Sequence, residues 1–143
     1  LLKMYERGEY QPLSREEAVT RTVAMYKILD DAGITIMRVG LKSTDIIGEG
    51  GSINGGTYHP AFRQLVEGRI ARDKIEPQLE RIVIECKGAG TKVDIFSSPE
   101  WFSNAIGNNS ENRKYFEEKY PELSIKFRVD DHLESAEFTV SVK

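Results

Sequence analysis

Arg38 is the first residue whose type and setting could do chemistry, a guanidinium inside the apolar run Ile34-Thr35-Ile36-Met37-Arg38-Val39-Gly40-Leu41. Arginine is rarely buried unless paired. It either reaches solvent or an acid, or it fixes a carboxylate or phosphate through two parallel N–H bonds. His59 precedes Pro60 at the start of a helical pattern. Its imidazole either hydrogen-bonds within the glycine-rich stretch before it or, titrating near working pH, touches a substrate or cofactor. Arg63 and Glu67 stand four apart, the spacing of a solvent ion pair worth about 0.3–0.5 kcal/mol on one helix face. Gly107-Asn108-Asn109-Ser110 is a turn between two helical patterns, with Lys114 just beyond it. Lys114, Lys119, Lys126 and Arg128 could line one side of a small domain, but Glu117, Glu118 and Glu122 interleave with them. Such mixing is the pattern of a solvated face. Cys86 is the only cysteine, and His59 and His132 lie far apart. A self-contained iron–sulfur or Cys-rich zinc site needs three or four thiolates, so none is expected, and no catalytic or metal-ligating set is read in the chain.

The elements that must position these residues are legible in outline. Residues 1–13 read as an exposed lead-in punctuated by Gly8 and Pro12. Ser14-Arg15-Glu16-Glu17 fits a capping box, in which hydroxyl and carboxylate reciprocally satisfy free backbone N–H groups. Val19, Thr22, Val23, Met25, Tyr26 and Leu29 then form an apolar stripe, and Gly33 ends the helix. Ile34–Leu41 is apolar on both faces, which predicts a buried strand. Glycines 48, 50, 51, 55 and 56 make the following stretch a long loop, at the strand edge where α/β folds bind ligands. Pro60 opens a second helix burying Phe62, Leu65, Val66, Ile70 and the stem of Arg69, which Pro77 kinks or restarts. Arg81–Cys86 and Lys92–Phe96 are predicted strands joined by a tight Lys87-Gly88-Ala89-Gly90-Thr91 reversal. A short helix from Pro99 carries Trp101 and Phe102, read as core rather than as a base-stacking platform. A further helix runs to about Tyr120, where Pro121 stops it, and strands follow at 124–129 and 137–142.

The fold class is therefore α/β (α+β), a mixed sheet with helices mainly on one face. From residue 60 to 129 the element order resembles a type II KH domain. In that family the turn between consecutive helices is a GxxG loop that clamps a nucleic-acid backbone. Here the turn lacks the second glycine and has neutral asparagines in the middle. The resemblance makes Gly107, Asn108, Asn109 and Lys114 the candidate nucleic-acid contacts.

Thr57-Tyr58-His59-Pro60-Ala61-Phe62-Arg63-Gln64-Leu65-Val66-Glu67, together with Arg38-Val39-Gly40-Leu41-Lys42-Ser43-Thr44-Asp45 and the Gly-rich loop, carries a second resemblance. These segments, and the lead-in Tyr5-Glu6-Arg7-Gly8-Glu9-Tyr10-Gln11-Pro12-Leu13-Ser14, resemble the region after the catalytic core of bacterial radical S-adenosylmethionine (SAM) proteins. The relatives are those akin to the Elongator catalytic subunit, often described as oxygen-independent coproporphyrinogen III oxidase-like. The resemblance implies that 1–80 is the C-terminal helix–strand–loop–helix of a partial (β/α) barrel and 81–143 a small KH-like accessory domain. It makes Ile34–Leu41 the last barrel strand, and Arg38, Gly40, Lys42, His59 and Arg63 the candidate substrate or cofactor contacts. The parent would use a [4Fe–4S] cluster and SAM. This chain lacks the CxxxCxxC-type motif, so the activity does not carry over.

Three functions remain open on these grounds: a non-catalytic segment completing a radical enzyme's barrel, a module presenting RNA such as tRNA, or a structural domain of an enzyme acting on a small molecule such as a porphyrinogen. The chain opens on Leu1, which leads us to expect a segment of a longer polypeptide, whose partner is the N-terminal radical SAM barrel. No signal-peptide pattern or apolar run long enough for a membrane span is read, and a lone thiol fits the cytoplasm. Net charge is −3, so nucleic-acid binding would need a local basic patch. A barrel strand without its neighbours leaves an unpaired edge, from which a homodimer is expected.

Overall fold

A computed structural model describes residues 2–41, 58–85 and 90–143. Lys42, the glycine-rich loop, Cys86 and most of the reversal expected at 87–91 lie outside the described residues. The described chain forms α1 (Leu2–Glu6), α2 (Arg15–Asp31), α3 (Phe62–Glu85), β1 (Thr91–Ser97), α4 (Phe102–Ile106), α5 (Glu111–Lys119), β2 (Leu123–Val129) and β3 (Phe138–Val142). Single 3-10 turns at Pro99–Trp101 and Asn108–Ser110 precede α4 and α5. Two compact units result, Leu1–Val66 and Glu67–Lys143, and α3 runs through their boundary.

In the first unit, α2 begins as its sequence dictates. The Glu17 N–H donates to Ser14 Oγ at 3.2 Å and the Ser14 N–H to Glu17 Oε2 at 2.9 Å. Those two bonds hold the Glu17 carboxyl below its ordinary pKa, the one from the Ser14 backbone contributing most. Val19 and Val23 are buried, but Met25 and Leu29 are exposed. Gly33 terminates the helix at φ 68, the left-handed region open to glycine. The lead-in is exposed, as expected, and includes the five-residue α1.

The predicted strand Ile34–Leu41 is not formed. The segment is irregular, and Ile34, Met37 and Leu41 are 53%, 89% and 65% exposed. A strand is defined by its neighbour's hydrogen bonds, and no strand among the described residues pairs with it.

The second predicted strand that fails is Arg81–Cys86. Through Glu85 this segment continues α3, which passes Pro77 without restarting. Ile75, Leu79 and Ile82 are buried at intervals of four and three, so one helical face extends over the β-branched Ile-Val-Ile run and outweighs its strand propensity.

The sheet of the second unit has the order β2-β1-β3. β1 pairs parallel with β2 (Val93 opposite Ile125) and antiparallel with β3 (Val93 opposite Val142). Alternation makes the two faces unlike. Val93, Ile95 and Ser97 of β1 are buried on the face that α4 and α5 pack, while the other face carries Lys92, Asp94 and Phe96. The mixed sheet with helices is the fold class the sequence implied, and its strand–helix–helix–strand centre around residue 107 is compatible with the KH-like order. Trp101 is core as expected, 5% exposed, edge-on to Phe138 with 6.0 Å between ring centroids and donating from Nε1 to Ser135 Oγ.

Gln78 protects the outer edge of β3. Its Nε2 donates to the Phe138 carbonyl at 2.9 Å and its Oε1 accepts from the Val140 N–H at 3.1 Å. One side-chain amide thus takes the place of a fourth strand at a single rung.

Candidate functional site

Two groups of expected site residues fall in different units. In the first, Arg63 at the start of α3 donates from one terminal nitrogen to the carbonyls of Ile36 and Met37, both at 3.4 Å. These long bonds tie the 36–37 backbone to the helix. Gly40 serves the same join. It stands at φ 79, and a Cβ there would lie 3.0 Å from Cβ and Cδ1 of Phe62. The position excludes a side chain by packing, without any ligand. His59 Nδ1 accepts from the Ala61 N–H at 3.1 Å, so its imidazole caps the turn into α3 and its tautomer carries any proton on Nε2. Arg38 is exposed on the irregular segment. The Tyr58 hydroxyl, which the sequence did not single out, is buried without a hydrogen-bond partner among the described residues.

In the second unit the turn 107–110 is built around Asn112, a residue sequence reasoning missed. Gly107 has φ 84, and a Cβ on it would meet the Asn112 backbone nitrogen at 2.8 Å. The first glycine of the turn is therefore demanded by an internal contact. Asn109 and Ser110 both adopt left-handed conformations, φ 51 and φ 60, a costly pair for residues with side chains. Asn109 and Lys114 are exposed, while Asn108 is half-buried.

Asn112 is 1% exposed. Its Nδ2 donates to the carbonyls of Gly68 at 2.8 Å, Asn104 at 3.1 Å and Ala105 at 3.3 Å, and its Oδ1 accepts from Arg72 Nε at 2.9 Å. Arg72 continues the network, 3.3 Å from Glu111 and with its guanidinium 4.3 Å above the Tyr115 ring. Tyr115 donates its hydroxyl proton to Glu76 Oε1 at 2.6 Å, and Lys119 donates to the same oxygen. Partial burial alone would raise the Glu76 carboxyl, but the bonds from Lys119 and Tyr115 prevail and hold it below the carboxylate range. The bond to Glu76 pushes the Tyr115 phenol up, and the same carboxylate raises Lys119. Every member of the network is engaged with another, so it braces α5 against α3 and offers no poised acid or base.

No group of three His, Cys, Asp or Glu side chains is placed to hold a metal among the described residues, and one cysteine cannot ligate a four-iron cluster. No helix among the described residues is long and apolar enough to cross a membrane.

The Radical_SAM C-terminal domain model matches residues 1–72. The chain belongs to the Radical_SAM C-terminal domain family. The matched stretch holds α2, the 34–41 segment, His59 and Arg63, and it ends within α3 at the residue that grips Asn112. No curated protein and no solved structure matches the chain. Membership makes the chain an accessory part of a radical SAM enzyme, attached to an N-terminal radical SAM domain, with a parent that uses a [4Fe–4S] cluster and SAM. With a single cysteine, the residues of this Radical_SAM C-terminal domain do not fit the cluster.

Proposed function

We propose that the chain is the non-catalytic continuation of a cytoplasmic radical SAM enzyme of the Elongator-related type. Leu1–Val66 completes the barrel, and Glu67–Lys143 is an accessory domain that presents the substrate. The expected limits of 1–80 and 81–143 are drawn here at the boundary between the compact units.

One observation carries this reading. Ile28, Ile34, Met37 and Leu41 are 69%, 53%, 89% and 65% exposed within one unit. Fully burying an apolar side chain of that size is worth about 1.5–3 kcal/mol, so four of them left open to this extent in one unit favour a surface built to be covered. The family supplies the covering partner, the N-terminal barrel. Against that barrel Ile34–Leu41 gains a neighbouring strand, and Arg38 stands in its C-terminal half, available to a carboxylate or phosphate of the substrate.

The test uses the full-length polypeptide with its cluster reconstituted, comparing wild type with Met37→Asp/Leu41→Asp. The double variant is expected to lose thermal stability and reductive SAM cleavage together, and the present chain alone to give no four-iron absorption. An unaffected double variant, or a cluster assembled on the chain alone, would sink the proposal, as would an upstream sequence lacking three clustered cysteines.

A further inference from the structure

The open face of the β2-β1-β3 sheet has a composition unlike the rest of the chain. Strand alternation and register bring Lys92 beside Ser124, Asp94 between Lys126 and Ser141, and Phe96 between Arg128 and Thr139. Lys143 joins them where its N–H donates to the Lys92 carbonyl. Four cations, Lys92, Lys126, Arg128 and Lys143, thus share the face with one acid, Asp94. Four minus one leaves +3 on this face, in a chain whose net charge is −3. The acid is already spent on the same cations: Arg128 Nε lies 2.7 Å and Lys143 Nζ 3.9 Å from Asp94 Oδ2. Asp94 therefore orients Arg128 across the sheet, and Lys92 and Lys126 stand exposed on either side of it.

We propose that this face binds single-stranded RNA. Lysines spaced along neighbouring strands suit a phosphate backbone. Phe96, half-buried at the centre, offers part of a ring on which a base can stack, and an open sheet face admits splayed bases where a duplex would present only its backbone. Three exposed hydroxyls, Ser124, Thr139 and Ser141, lie among the cations and can exchange hydrogen bonds with a 2′-OH or a base edge. An acidic protein would answer the charge but leave the central aromatic and the hydroxyls without a role. The inference rests on the second unit's proposed role of presenting the substrate, names that substrate's chemical class, and moves the contact from the 107–110 turn to the sheet.

The experiment is a fluorescence-anisotropy titration of this chain with a labelled single-stranded oligoribonucleotide of mixed sequence, at several salt concentrations. Micromolar binding is expected, falling linearly in log Kd against log salt. Lys92→Gln/Lys126→Gln removes two phosphate contacts, so the slope should fall by about 1.4 and affinity at low salt by about tenfold or more. Phe96→Leu keeps the volume but removes the ring, and should weaken binding about fivefold or more. Lys114→Gln, on α5, should change neither value. Equal weakening by Lys114→Gln, an unmoved slope in the double variant, or a DNA strand of the same sequence binding equally would overturn the assignment. Absence of binding at low salt would overturn it too and point to a small-molecule substrate. The barrel-completing role would survive that outcome, because it is read on SAM cleavage and four-iron absorption.

Discussion

The side-chain amide of Asn112 donates to the carbonyl of Gly68 at 2.8 Å, joining α5 to α3 across 44 positions of sequence. A buried amide that satisfies three carbonyls and one guanidinium is worth most when considered by its removal. Asn112→Ala leaves those carbonyls and the Arg72 Nε–H without their partner in a site that is buried or part-buried. A loss of ~3 kcal/mol is expected in urea unfolding, against less than ~1 kcal/mol for Asn109→Ala at the exposed tip of the same turn. Equal costs at the two positions would show that the turn, and not the amide, holds the helices together.

Gly107 is the backbone counterpart of Asn112. Gly107→Ala combines a positive φ with a Cβ driven to 2.8 Å from a main-chain nitrogen, which cannot swing aside as a side chain would. The expected destabilisation is about 2 kcal/mol or more by urea unfolding, with the transition midpoint lowered and its slope unchanged. A near-neutral result would mean that the 107–110 turn relaxes freely.

These two residues also mark what could and could not be read from the chain. The start of α2 was legible because Ser14 and Glu17 are three positions apart, so both partners are visible at once. Gly33, Trp101 and the strands near 124–129 and 137–142 were legible for a similar reason, since period and punctuation are local properties. Ile34–Leu41 was misread because its composition says apolar, while a strand also needs a neighbouring strand, and none among the described residues pairs with it. Arg81–Glu85 was misread because its β-branched run favours a strand, and only the buried face already set by Ile75 and Leu79 makes it helical. Among the expected site residues, Arg63, Gly40 and His59 turned out to hold the backbone around the start of α3. Asn112 and Gln78 gave no signal in the sequence, because the partners that tie them across the fold, Gly68 for Asn112 and Phe138 and Val140 for Gln78, lie 44, 60 and 62 positions away.

Glu76 makes the second unit sensitive to acid. Its folded carboxyl titrates below its ordinary value of 4.5, because Lys119 and Tyr115 favour the charged form over the penalty of partial burial. A carboxylate depressed on folding contributes stability that is fully present above its unfolded pKa and is lost as pH falls through the folded one. Thermal midpoints should therefore hold steady near neutrality and decline below about pH 4.5. Glu76→Gln should lower the neutral-pH midpoint and flatten the decline. Parallel profiles for the two proteins would assign the acid sensitivity to another carboxylate.

Gln78 governs whether the sheet stays closed to other chains. Its amide occupies the Phe138 carbonyl and the Val140 N–H, and Lys74 Nζ donates to the Ala136 carbonyl at 2.9 Å just ahead of the strand. Gln78→Ala frees a donor and an acceptor on the outer edge of β3 that only water or another strand can then satisfy. Because the site is half-buried, the expected cost is about 1–2 kcal/mol in unfolding free energy. The freed rung also invites antiparallel pairing of two β3 edges, so sedimentation velocity should show a concentration-dependent dimer that the wild-type edge does not form. If wild type and variant sediment alike while the variant is destabilised, Gln78 acts only within the fold. If the wild type already dimerises and Gln78→Ala does not alter it, self-association arises elsewhere, and the exposed Met37–Leu41 segment is the surface to substitute next.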